Sequence, residues 1–291
     1  MTFPQNRPFQ TVGLCLALSL CAGAASAAPV SVGAAGTQGW VANYDTRNTS
    51  GGPANAATIA AQVKFLAEGQ VVNDAAGGTP AATPAGSLNG AGYLRLDGTN
   101  NNNGKSDLSY LTGSAIADAS ALLSQAFSLT YRHYTDPNTT YRTVGLNFSV
   151  FNGSSLFSFS HNDPIAAGNG LAGANTWYTD TVTASQGLFT LYGTGAPGGS
   201  GPAKTLAQWA GDADWSYLFG DAFDLVRIGF NLGSFQRNAL VYVDYLQTNL
   251  LNGGDIVDFT APAAVEVPEP GTLALGALGL AALAMRRRRQ A

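Results

Sequence analysis

The sequence predicts an all-β protein: a two-sheet, jelly-roll-like sandwich with one or two short helices, an N-terminal signal peptide and a C-terminal single membrane helix. Three observations carry this reading. Apolar and polar residues alternate with period two through most of the second half. Turn formers are abundant (36 Gly and 13 Pro among 291 residues) while only 11% of residues are charged. Neither a βαβ rhythm nor a fixed-period repeat is present, which argues against solenoids and propellers. Aromatic residues, at 10%, are too many for a disordered chain.

The strands follow from the alternation. In "RTVGLNFSVF" Val144, Leu146, Phe148 and Val150 share one face, and in "FDLVRIGFNLG" Val226, Ile228, Phe230 and Leu232 do the same. "AFSLTYRHY" places Phe127, Leu129 and Tyr131 together, and "YLRL", "LFSFSH", "WYTDTVTA", "GLFTLYG" and "ALVYVDYLQT" add further strands. Ile59, Val63 and Leu66 stand at helical spacing and predict a helix near residues 55–68; "DASALLSQ" predicts one more brief helical turn. Together these give eight or more strands, enough for two packed sheets.

The chain divides into a signal peptide (1–27), an exported β-sandwich domain (28–262), a linker (263–267) and a tail (268–291). The first segment has Arg7, an apolar stretch and the small-residue cleavage site Ala25-Ser26-Ala27. A lipoprotein signal is excluded, because Leu precedes both Cys15 and Cys21 where a small residue is needed. Both cysteines lie within this segment, so the exported domain has none and depends on core burial and hydrogen bonding instead of disulfides. Residues 28–262 hold nine Lys/Arg against 16 Asp/Glu, a net charge of −7 that disfavours nucleic-acid binding.

The tail has three parts with separable physics. Pro268-Glu269-Pro270 continues neither a helix nor a sheet ladder. Gly271 to Met285 is an uninterrupted apolar run of 15 residues. As a helix it spans about 22 Å, short of the ~30 Å hydrocarbon core unless arginines snorkel and the bilayer thins. Arg286, Arg287, Arg288 and Arg289 then form a positive block that stays on the cytoplasmic side. Val267, Pro268, Glu269 and Pro270, with the apolar run and arginines behind them, resemble the PEP-CTERM sorting signal of Gram-negative bacteria. The resemblance implies recognition by an exosortase, transient membrane anchoring, cleavage near the motif and release to the cell surface or exterior. It covers about 25 residues and leaves the body to be read separately.

The stretch "RIGFNLGSFQRNALVYVDYLQTNLL", with Val241-Tyr242-Val243-Asp244-Tyr245 at its centre, resembles the last strands of lectin-like and carbohydrate-binding jelly rolls. Aromatic rings stack on the apolar faces of sugars, and Trp177, Tyr178, Trp209, Trp215 and Tyr242 are the candidates. Asp212, Asp214, Asp221 and Asp224 cluster in "GDADWSYLFGDAFD". They suit a Ca²⁺ site, a paired-carboxylate glycosidase, or solvated turn and cap residues. "DGTNNNNGKSD" lacks the EF-hand frame and reads as an Asn-rich loop. His133 is expected in the core or at a strand end, and His161 in a turn. No G-x-S-x-G, H-E-x-x-H or P-loop occurs. The Thr179, Thr181 and Thr183 row is too short for the ice-binding array that some proteins with this tail carry.

The expectation is a non-enzymatic envelope or matrix protein that binds extracellular polysaccharide, with exosortase and membrane as transient partners. A secreted glycan-active hydrolase and a self-associating matrix component are the alternatives.

Overall fold

Residues 30–32, 38–43, 63–72, 81–82, 84–88, 92–97, 106–111, 113–135, 144–162, 176–232, 240–251 and 256–261 are described by the computed structural model. The expected signal peptide, Asn-rich loop and linker, and the tail, fall outside these residues. Among those described, no helix is long and apolar enough to cross a membrane.

Two seven-stranded sheets form the body. The first contains β1 (Val30–Val32), β3 (Val63–Ala67), β6 (Gly92–Asp97), β9 (Leu129–Thr135), β12 (Trp177–Val182), β15 (Leu240–Thr248) and β16 (Ile256–Phe259). The second contains β2 (Trp40–Asn43), β7 (Ser106–Tyr110), β8 (Ala117–Asp118), β10 (Gly145–Phe151), β11 (Leu156–Asn162), β13 (Phe189–Tyr192) and β14 (Asp224–Leu232). β4 (Val71–Val72) and β5 (Ala81–Ala82) pair separately. Among the described residues every ladder is antiparallel except β1 with β16.

β15 organises the first sheet. It pairs with β9 along one side, from Val241 to Thr248. Its other side is shared: Leu240–Val243 pair with β6 and Tyr245–Gln247 with β16. β10 organises the second sheet, between β11 and β14. The inward side chains of the two sheets meet as interlocked aromatics. Phe230 on β14 lies 5.5 Å from Tyr131 on β9 and 5.9 Å from Phe259 on β16, and Trp40 on β2 lies 5.1 Å from Phe259. Such edge and tilted contacts suit the ring quadrupoles, and buried rings of this size dominate the hydrophobic term.

Two sequence expectations need correction. The part of the expected 55–68 helix that is described, Val63–Ala67, is strand β3. Val63 packs into the inter-sheet core, whereas Leu66 joins a smaller apolar cluster on the other side with Tyr93, Tyr134, Leu240 and Tyr242. With both faces covered, the apolar residues no longer alternate and their spacing imitates a helix. In β14, Leu225 is buried and Val226 only half-buried. The register passes from Ser149↔Arg227 to Val150↔Leu225, so a bulge at Val226 reverses the facing of the residues before it. "DASALLSQ" does form a short 3-10 turn, Ala119–Leu123. One helix was not foreseen: α1 (Leu206–Ala210), closed by a capping box in which Thr205 Oγ1 accepts from the Gln208 amide and Gln208 Oε1 accepts from the Thr205 amide.

Candidate functional site

The four clustered aspartates and two of the candidate rings fall on the corner formed by α1 and the loop to β14. Lys204 reaches this corner from a bridge to Phe189, and its ammonium lies 4.7 Å over the Trp209 ring while pairing with Asp212. Lys204, and then the Asp214 amide, hold the Asp212 carboxyl below the usual carboxylate range. The Asp212 main-chain carbonyl also accepts from Trp215 and Ser216, so Asp212 serves as the turn residue that ends α1. Asp214 and Asp221 are exposed, and Asp224 is half-buried as the first residue of β14, opposite Phe151. Among the described residues no three of His, Cys, Asp and Glu come together as a metal would require, and these four aspartates are not gathered around one point. Asp212 has the turn role that is one of the three readings of the cluster.

The rings separate clearly. Trp209 is buried, with its indole N–H donated to the Phe189 carbonyl at 2.9 Å, and Tyr242 is buried between Tyr93 and Tyr134. Neither presents a face to a ligand. Trp177 is half-buried, but Arg132 sits 4.4 Å over its ring and its N–H is bound to the Ala85 carbonyl. Tyr178 packs against His133. Trp215 is half-buried, and Tyr217 beside it is 49% exposed. Their planes are inclined by only 32° at a centroid separation of 6.3 Å. Phe157 and Phe223 support the pair from below. Gly193 permits this: a Cβ there would stand 2.3 Å from the Phe157 ring, and its φ of +152° is one that L side chains rarely adopt. Tyr217 was not singled out from sequence; its place two residues after Trp215, among turn residues, was the available signal.

A second polar group lies between the sheets. His133 Nε2 is 2.9 Å from Asp180 Oδ2, and the Tyr131 hydroxyl is 3.2 Å from His161 Nδ1. His133 is buried, as expected. His161 is not in a turn; it is the penultimate residue of β11 and only 2% exposed. Burial lowers its pKa to about 4, against the opposing pull of Asp180, with His133 adding to the lowering. Asp180 is driven upward by burial, but its bonds and charges from His133, then His161 and Tyr131, outweigh this and leave it lowered. His161 continues the alternation of "LFSFSH", and β11 runs on to Asn162 where a turn was expected.

On the outer face of the second sheet, Arg227 binds both Asp107 and Ser109, and Ser109 donates to Asp107 at 2.7 Å. Gly229 is needed beside them, since a Cβ would lie 2.3 Å from Ser109 Oγ.

Residues 266–289 match the family model of the PEP-CTERM protein-sorting motif. The match includes Val267, Pro268, Glu269, Pro270 and the four arginines. The chain therefore carries an exosortase-directed export signal, and its apolar run followed by arginines fits a membrane anchor used in sorting to the cell surface. No curated protein matches the chain.

Proposed function

We propose that the exported sandwich is a non-enzymatic binding domain for extracellular polysaccharide, delivered to the surface or matrix of a Gram-negative cell by its sorting tail. The observation that carries this is the Trp215–Tyr217 pair: two partly exposed aromatic residues with gently inclined rings, supported by the core and flanked along the chain by the exposed Asp214 and Asp221. Sugar rings present axial C–H groups that stack on such faces, and equatorial hydroxyls that carboxylates accept from. The net charge of −7 favours a neutral glycan over an acidic one. Lys204 commits Asp212 to an ion pair, which supports a structural role for it over proton transfer.

The test is retention of the full chain, in mild detergent, on a glycan array and on immobilised exopolysaccharide. Tyr217→Ser is expected to weaken retention about tenfold, close to 1.4 kcal/mol, without changing the elution volume of the protein. Undiminished binding by Tyr217→Ser and Trp215→Leu together overturns the assignment of the site. Release of reducing sugar that disappears in Asp214→Asn overturns the non-enzymatic reading. Concentration-dependent assembly with no glycan retention makes the chain a matrix component instead.

A further inference from the structure

β3 and β6 pair as far as Ala67↔Gly92, so the chain between them leaves and returns at one point, and β4 pairs with β5 inside the excursion. The point of return is fixed: a Cβ on Gly92 would stand 2.5 Å from the Ala261 amide nitrogen and 2.7 Å from the Leu66 carbonyl oxygen. Long excursions in compact domains serve as lids and binding loops. Here the 84–88 strap meets side chains of β12, β9 and β15 in turn, the order in which those strands lie in the first sheet.

Among the described residues no main-chain ladder joins the strap to the sheet, and four side chains hold it. Trp177 Nε1 donates to the Ala85 carbonyl at 2.8 Å, and Arg132 Nη1 donates to the Gly86 carbonyl. Glu68 Oε1 accepts from the Gly86 amide at 2.6 Å. Asp244, the bulged residue of β15, accepts twice: Oδ1 from Ser87 Oγ at 2.9 Å and Oδ2 from the Leu88 amide at 3.0 Å. The hold is polar and open to water. Ala85 and Gly86 are exposed, and Leu88 is 65% exposed. A segment with exposed hydrogen bonds and little buried apolar surface opens far more easily than the sheet it lies on.

Beside these groups the rings of Tyr93, Trp177, Tyr134 and Tyr242 close a circle of contacts at centroid separations of 5.1–6.2 Å. The buried Tyr93 hydroxyl lies near the Ser87 amide and gives its proton to no acceptor among the described residues. With the strap lifted, each Asp244 oxygen loses one donor, while Arg132 and Trp177 each lose a carbonyl acceptor. Two neighbouring hydroxyls of a sugar replace the Ser87 and Leu88 donors, one on each oxygen, and ring or hydroxyl oxygens replace the two carbonyls. The C–H face of the same sugar suits an aromatic floor.

We propose that the 84–88 strap is a lid, and that Asp244, Arg132 and Trp177, beside the tyrosine rings, form a second saccharide site that the strap closes by imitating the hydroxyls and oxygens of the ligand. This site and the Trp215–Tyr217 corner are built on different elements, and either stands without the other.

The experiment uses the full chain in mild detergent and a panel of neutral oligosaccharides of glucose, mannose, galactose and xylose, with binding read by isothermal titration calorimetry. Glu68→Ala with Ser87→Ala removes two clasps and keeps the lining. In the Trp215→Leu/Tyr217→Ser background, which lacks the corner, this pair is expected to tighten binding of at least one sugar about tenfold, as release of a lid closed about ten times as often as open requires. In the same background with the strap intact, that sugar should also speed hydrogen exchange at the Gly86 and Leu88 amides, read by mass spectrometry. The exchange arm decides the matter if the release pair fails to fold. Affinity unchanged by the release pair, binding of no sugar in the panel, or exchange indifferent to saturating sugar overturns the proposal. Binding that vanishes with Trp215 and Tyr217 and ignores Glu68→Ala/Ser87→Ala overturns the lid and leaves the corner reading standing.

Discussion

His161 makes stability depend on acid in a way that can be worked through. In the unfolded chain its imidazole takes up a proton near its ordinary value of 6.5; in the fold it does so only near 4. The unfolded state thus binds the proton first, and the stability His161 contributes is present above pH 6.5 and lost as pH falls toward 4. At about 1.36 kcal/mol per decade of proton affinity, the full loss is roughly 3 kcal/mol, and about 2 kcal/mol is already gone at pH 5. Asp258 works in the opposite direction. Its folded carboxyl keeps a proton up to about pH 6 against an ordinary 3.8, so acidification through that window stabilises the fold. At pH 5 this returns roughly 1 kcal/mol, and the wild type should change little between pH 7.5 and pH 5. Asp258→Asn removes the compensation. Urea unfolding followed by tryptophan fluorescence should then show a loss of about 2 kcal/mol between those two pH values. His161→Gln added to Asp258→Asn should flatten the profile again, whatever its cost at pH 7.5. Equal stability of Asp258→Asn at pH 7.5 and pH 5, or an acid loss that persists after His161→Gln, would refute the assignment to this histidine.

Two further outcomes rest on packing and pairing. Gly92→Ala drives a methyl into the Leu66 carbonyl and the Thr260–Ala261 backbone, at 2.5–2.8 Å, and backbone cannot rotate aside; chemical denaturation should show a loss of about 2–3 kcal/mol. Arg132→Met leaves the Asp244 carboxylate buried without its cation and frees the Gly86 carbonyl; it should cost about 3–5 kcal/mol and speed limited proteolysis within 84–88, which mass spectrometry of the fragments will locate.

The strands that were legible are those with one apolar face. Phe148 and Val150 on β10 and Ile228 and Phe230 on β14 alternate because one side of each strand meets the core and the other does not. Where that condition fails, so does the pattern: β3 is buried on both sides, at Val63 on one and Leu66 on the other, and the bulge at Val226 changes parity within a strand. The candidate site was legible in part. Trp215 and its neighbouring aspartates could be singled out by composition, but exposure divides Trp215 and Tyr217 from the equally aromatic Trp209 and Tyr242. Exposure depends on which strands lie opposite, and no local residue pattern contains that.

The sequence by itself determined the destination of this protein and its class of fold. Sorting is read from a linear segment, Val267 to Arg289, whose Pro-Glu-Pro, apolar run and arginines act through their order along the chain. Alternation and turn residues are likewise local properties, and they sufficed for a two-sheet β protein. Tertiary structure alone decided which charges meet. Arg132 and Asp244 are 112 residues apart, and Asp258 joins them only because β15 changes partners at a bulge. Tyr131 meets His161 only because β9 and β11 lie in opposing sheets. Contacts between distant strands depend on register and on the order of strands in each sheet, quantities that arise when the chain closes on itself.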